Sequence, residues 1–121
     1  MRIRVIAQTQ EQFGLWLEAQ RAAPSAPSSG EAALGAKLFA NRTCANCHMV
    51  SGTAAVADIG PDLTHVASRR TLAAGALENT PANLAAWLHD PDQFKHGSHM
   101  PNLHLDQQDL SALVAYLETL K

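Results

Sequence analysis

Hydrophobic positions recur at helical spacing in four stretches after residue 30 and in one before it. Phe13, Trp16 and Leu17 form a short apolar stripe with Gln20 in register, and Thr9-Gln10-Glu11-Gln12 has the spacing of a capping box, so a helix should open at Thr9. Ahead of it, Arg2 to Gln8 places Ile3 and Val5 on one face and predicts a short strand. Ala22 to Gly30 is built from Pro, Ser, Ala and Gly, too little apolar surface to order itself, and reads as a linker. The chain therefore divides into a strand-helix piece over 1–21, a linker over 22–30 and a helical domain over 31–121.

Within that domain the first predicted helix runs from Glu31 to Asn41, with Leu34, Leu38 and Phe39 apolar. Gly35 inside it costs about 1 kcal/mol against alanine, which predicts the close approach of another backbone. A second helical stretch covers Leu63 to Ser68. A third runs from Pro81 to His89, with proline in its first turn and Pro91 just past its end. The last spans Asp106 to Leu120 along a stripe of Leu110, Leu113, Val114, Leu117 and Leu120, which reads as core. No segment after residue 30 alternates as a strand, so the fold class is all-α.

Composition adjusts this picture in one respect. At 46% hydrophobic and 17% charged the chain is an ordinary globular domain, but aromatics are only 5%, which leaves a thin core. A large apolar group bound inside would fill it. The net charge of −2 and the lack of basic runs exclude a nucleic-acid binder. No stretch reaches the roughly 18 apolar residues of a membrane span. Arg2 and Arg4 are followed by mixed polar residues, so the N-terminus does not read as an export signal.

The chemistry concentrates in Cys44-Ala45-Asn46-Cys47-His48, a C-x-x-C-H run that contains both cysteines of the chain. This spacing marks covalent c-type haem attachment, one thiol for each vinyl group and the histidine for the iron. Three alternatives stand beside it. A redox dithiol would need a βαβ context that the helical pattern lacks. A closed zinc site needs four N or S ligands; six histidines are present, though none falls at the usual finger spacing. A disulfide across two residues would close a tiny loop and stabilise little.

If haem is held, a second axial ligand must come from elsewhere, and a thioether suits the iron and raises its potential. Met1 lies beyond the linker and Met49 follows His48 directly, which leaves Met100, in His99-Met100-Pro101. His96 and His99 are the competing ligands, and bis-histidine ligation would lower the potential.

From Gly30 to Lys121 the chain resembles a class I cytochrome c domain. Cys44, Cys47 and His48 match its haem motif, Gly60-Pro61-Asp62-Leu63 its G-P-x-L segment, and Met100-Pro101 its axial methionine; Gly35 and Phe39 match the first-helix pair that crosses the last helix at Leu113, Tyr116 and Leu117. The resemblance implies a class I cytochrome c fold of about four helices around one haem c, covalent through Cys44 and Cys47. It also implies His48 and Met100 as metal ligands and a Pro61 carbonyl that accepts the imidazole N–H. Arg69 and Trp87 become partners of the haem propionates, with Asn79 and Thr80 as weaker candidates, and His65 a loop support.

A narrower similarity is to the cytochrome c domain fused to subunit II of bacterial haem–copper cytochrome c oxidases. It is carried by Leu63 to Arg69, Leu72-Ala73-Ala74-Gly75, Trp87-Leu88-His89-Asp90-Pro91 and Lys95. Met1, Phe13 and Trp16 fit the M-x(11)-F-x(2)-W spacing at the end of that subunit's copper-binding cupredoxin domain. Residues 1–21 thus resemble a cupredoxin remnant. The other copper ligands of that family are absent, so no copper is expected, and Met1 stands as an orphaned position. Where the fused cytochromes often read Lys-Pro-Gly, this chain has Lys95-His96-Gly97, a less stiff approach to Met100.

The similarity implies a one-electron carrier of the aerobic respiratory chain, by itself not established as an enzyme. Its electrons would come from a quinol-oxidising complex or a soluble cytochrome and pass to the copper centre of a terminal oxidase. It implies a periplasmic location, or the outer face of the cytoplasmic membrane as part of a larger anchored subunit. That location accounts for haem attachment in a chain without an export signal. With a labile Met100 the protein would instead be a diatomic-gas sensor or weak peroxidase. The unpartnered piece at 1–21 predicts weak self-association.

Overall fold

The structure, a computed structural model, describes residues 5–121. Helix α1 (Gln10–Arg21) opens on the predicted capping box. Thr9 Oγ1 accepts from the Gln12 N–H at 3.2 Å, and the Thr9 N–H donates to Gln12 Oε1 at 3.1 Å. None of its residues is buried, and Phe13 and Trp16 stack on its exposed face with ring centroids 5.7 Å apart. The strand expected ahead of it is not formed at Val5–Gln8, which pairs with no segment among the described residues; its first residues, with Met1, lie outside the described residues.

The domain is closed by the crossing of α2 (Gly30–Asn41) and α5 (Gln107–Leu117), the most extensive packing between any two described elements. Gly35 makes this crossing possible. A Cβ there would lie 1.9 Å from the Ala112 carbonyl oxygen and 2.7 Å from Tyr116 Cβ. Phe39 and Tyr116 meet edge-to-face at 5.6 Å, and Arg42 just beyond α2 pairs with Asp109 in the first turn of α5. Around this crossing Val50, Leu84, Leu110, Leu113, Leu117 and Leu120 build the core.

The segment between these helices holds a 3₁₀ turn at Thr43–Asn46, another at Val66–Ser68, a two-residue antiparallel pair of β1 (Thr71–Leu72) and β2 (Leu77–Glu78), α3 (Pro81–His89) and the short α4 (Pro91–Phe94). Helix α3 begins as read, with Pro81 at its start and Thr80 Oγ1 accepting from the Asn83 N–H.

Three expectations are corrected. The helix expected over Leu63–Ser68 shrinks to a single 3₁₀ turn because its backbone groups are engaged elsewhere. The Ala67 N–H donates to Leu120 O at 2.8 Å, and Asn79 Nδ2 donates to Val66 O at 2.7 Å. Short β pairing exists after residue 30, in β1–β2 and in the Met49–Val56 bridge, where two-residue ladders are too brief for alternation to be visible. The last helix stops at Leu117. Thr119 and Leu120 tighten into i−3 bonds, yet Leu120 still reaches the core.

Candidate metal centre

Immediately after α2, the chain turns at Thr43–Asn46 so that the Cys47 and His48 N–H groups both donate to Cys44 O, at 3.1 and 2.9 Å. The turn gathers Cys44, Cys47 and His48, all half-buried, at one end of α2. Both cysteines are free thiols. Burial pushes the Cys44 thiol up, against smaller opposing effects of the backbone N–H and Arg42. A thiol held in its neutral form is unlike the activated cysteine of a redox dithiol. Cys44, Cys47 and His48 share this turn, but among the described residues no three His, Cys, Asp or Glu side chains are placed to hold one metal ion between them, so the closed shell of a structural zinc is not built.

The His48 ring is fixed by the segment that follows. Its Nδ1 lies 2.8 Å from the Pro61 carbonyl oxygen. A carbonyl only accepts, so Nδ1 carries the proton and Nε2 keeps its lone pair for a metal. Gly60 lies flat against the ring, where a Cβ would sit 2.6 Å from His48 Cε1 and 2.8 Å from Nδ1. The backbone holds this contact in place, since the Gly60 N–H donates to Cys47 O at 2.6 Å and the Leu63 N–H to Met49 O at 2.9 Å. The tautomer, the oriented donor atom and the neighbouring thiols fit a haem c attached at Cys44 and Cys47 with His48 as its proximal ligand. Val56 and Ile59, between His48 and Gly60 in the sequence, stand 75% and 80% exposed.

The other expected site residues are placed as follows. Met100 sits in the irregular stretch between α4 and α5, half-buried and packed against the core, its N–H donating to Ser98 Oγ at 3.3 Å. His96 and His99 are exposed, and His96 Nδ1 lies 3.5 Å from Asp92. Trp87 is half-buried on α3, beside the buried Leu84 and Leu88. Arg69 does not stand free, because its guanidinium donates to the Asp62 carbonyl. Asn79 and Thr80 are engaged as well: Asn79 Nδ2 clamps the carbonyls of Val66 and Arg69, and Thr80 caps α3. His65 stands between its loop and α1, with Nδ1 2.9 Å from Lys121 O and Nε2 3.0 Å from Gln20 O; both oxygens only accept, so the neutral ring donates to one of them at a time. Between α1 and this loop lies a cleft of about 350 Å³ lined by Trp16, Gln20, Asp62, His65, Ser68 and Arg69.

Reading the sequence missed Thr64. Its hydroxyl accepts from the Ser51 N–H at 2.9 Å and donates to Asp62 Oδ1 at 2.5 Å, and the Thr64 N–H donates to the same oxygen at 2.8 Å. Partial burial pushes the Asp62 carboxyl up, but the Thr64 hydrogen bonds, Arg69 and His65 outweigh it and hold the group below its ordinary value. The Asp-x-Thr spacing of an Asx turn was the available signal.

Comparison with known proteins identifies the family. The family model described as Cytochrome c matches residues 32–121. Over its whole length the chain is 36% identical to the cytochrome c oxidase subunit 2 of Alkalihalophilus pseudofirmus and 30% identical to that of Bacillus subtilis. In each case it spans 35% of the relative's own length.

Proposed function

The chain belongs to the cytochrome c family, and from that premise we propose that it holds one haem c and carries single electrons in a respiratory chain. The observation that carries this reading is the conjunction of C-x-x-C-H with an imidazole whose Nδ1 is already committed to Pro61. Cys44 and Cys47 would form the two thioether links, His48 Nε2 and Met100 Sδ would be the axial ligands, and Trp87 and Arg69 would lie toward the propionates. When bound, haem c supplies a one-electron iron couple. The protein's part would be to hold His48 in one tautomer and to leave an edge open for transfer. Since His96 and His99 face water, the sensor or peroxidase reading gains nothing from this fold.

The relatives named cytochrome c oxidase subunit 2 support the finer reading that electrons pass to the copper centre of a terminal oxidase, at the outer face of the membrane. The donor would be a quinol-oxidising complex or a soluble cytochrome. No described helix is long and apolar enough to cross a membrane. Copper is not expected in this chain; Met1, the position matched to a copper ligand, lies outside the described residues. The exposed Phe13–Trp16 face of α1 supports weak self-association through residues 1–21.

An absorption spectrum of the chain produced in a host that attaches haem tests the central reading. Sharp haem c bands after dithionite, with a weak sulfur-to-iron charge-transfer band in the oxidised form, are expected. Haem bands without the charge-transfer feature would move the sixth ligand away from Met100. No haem absorption would overturn the proposal.

A further inference from the structure

Thr64 is the one polar side chain in the described core, 4% exposed, and its hydroxyl bonds to Ser51 and Asp62, outside α1 and the cysteine turn. A buried hydroxyl is retained where its hydrogen bonds hold something in place. Here they join the stretch that follows His48 to the stretch whose Pro61 carbonyl faces its Nδ1. Ser51 belongs to the hairpin-like loop that leaves His48, closed by the Met49–Val56 bridge and the Val50 N–H to Ala55 O bond at 3.0 Å. Asp62 belongs to the stretch Gly60–Leu63, which crosses the imidazole. Asp62 Oδ1 receives both the N–H and the hydroxyl of Thr64, which fixes the backbone one residue past the Pro61 carbonyl. Arg69 secures the other side by donating to the Asp62 carbonyl. The Gly60 and Leu63 N–H bonds hold the stretch to Cys47 and Met49, and Thr64 holds it to Ser51. Pro61 O, the acceptor of the His48 proton, lies within this closed circuit.

We propose that Thr64 is a positioning residue for His48. Its hydroxyl locks the Gly60–Leu63 strap over the imidazole, and so sets how strongly the Pro61 carbonyl draws on the Nδ1 proton and how electron-rich Nε2 is as a ligand. This inference rests on the haem reading above. A firmly held N–H···O=C bond lends the ring imidazolate character, which favours ferric over ferrous iron. Loosening the strap therefore raises the reduction potential.

The test compares Thr64→Val, Thr64→Ser, Asp62→Asn and Asp62→Ala in the haem-loaded chain. The readouts are midpoint potential and NMR-detected exchange of the His48 Nδ1 proton and of the Ser51, Gly60 and Leu63 amides. Thr64→Val keeps the shape and removes the hydroxyl. It is expected to keep haem bands, shift the midpoint to more positive values and speed these exchanges about tenfold, the scale of one lost buried hydrogen bond. Thr64→Ser should restore both. Asp62→Asn removes the charge but keeps an acceptor, whereas Asp62→Ala removes both, so faster exchange in Ala than in Asn isolates the hydrogen bond and decides the matter if Thr64→Val does not fold. Wild-type potential and exchange in Thr64→Val, or a shift of equal size in Thr64→Ser, would overturn the proposal. A wild-type chain without haem bands would overturn the haem reading instead. The amide exchange of the same variants would then still show whether Thr64 locks the strap.

Discussion

Gly35 and Ala112 approach so closely that a Cβ on residue 35 would lie 1.9 Å from the Ala112 carbonyl oxygen. The obstacle is backbone, and it cannot swing aside. Alanine normally gains about 1 kcal/mol over glycine inside a helix. Here Gly35→Ala is expected to lower stability by roughly 3 kcal/mol, because α2 and α5 must separate to admit the methyl group. Denaturant unfolding of the two proteins measures it; an unchanged or raised midpoint would mean that the helices cross elsewhere.

Gly60 makes the same kind of contact with a side chain, the His48 ring. Gly60→Ala is expected to tilt the imidazole and lengthen its bond to Pro61, with a several-fold lower yield of covalently bound haem per chain. A haemochrome assay on equal amounts of folded protein reads this out, and full loading would show that the ring tolerates displacement.

These two glycines show how much was legible. Cys44, Cys47 and His48 could be read from the sequence because the chemistry demands those residue types at set spacings, whereas Pro61 was legible only through the resemblance of Gly60-Pro61-Asp62-Leu63 to a family segment. Gly35 was readable as a break in helix propensity. The Leu63–Ser68 stretch was not, since its fate depends on Leu120 and on Asn79, remote partners that take its backbone groups. Thr64 escaped because a lone threonine beside an aspartate carries no periodic signal, and its second partner, Ser51, is a backbone N–H. The bond from Arg69 to the Asp62 carbonyl had no signal in the sequence, because it joins residues seven apart through a main-chain acceptor.

The lowered pKa of Asp62 sets a pH dependence. Its folded value lies below the unfolded one, so its contribution is complete above the ordinary carboxylate range and is lost as pH falls through the folded value. Asp62→Asn should therefore be slightly less stable than wild type near neutrality, with the difference vanishing in acid. The group is solvent-exposed, which keeps the effect small. Urea midpoints across the acid range test the sign, and a gap that widens on acidification would contradict it.

His65 holds α1 through the main chain of Gln20. His65→Ala should free the helix and expose the bond after Arg21, with about fivefold faster tryptic cleavage there, the scale of one hydrogen bond. Loss of the contact to Lys121 O should also lower the unfolding midpoint of the 31–121 domain slightly. Cleavage at the wild-type rate would show that this contact does not hold α1 in solution.

Self-association through α1 predicts that the full chain sediments faster than one beginning at Gly30 as concentration rises. Replacing Phe13 and Trp16, the stacked and exposed pair, with serine should abolish the difference. Equal sedimentation of full and shortened chains would remove this role from residues 1–21.

The crossing of α2 and α5 has a consequence for the order of events as the protein is made. Cys44, Cys47, His48 and Met100 all lie in the long loop that these helices close. Synthesis delivers the cysteines and the histidine well before α5, so for that interval they belong to an open, unclasped chain. Long loops cost entropy to close and contacts between distant residues form slowly. Under the proposed reading, haem joined at His48 and Met100 would pin two points of the loop together, leaving the clasp a shorter span to bridge. The prosthetic group would then act as a folding partner before it acts as an electron carrier.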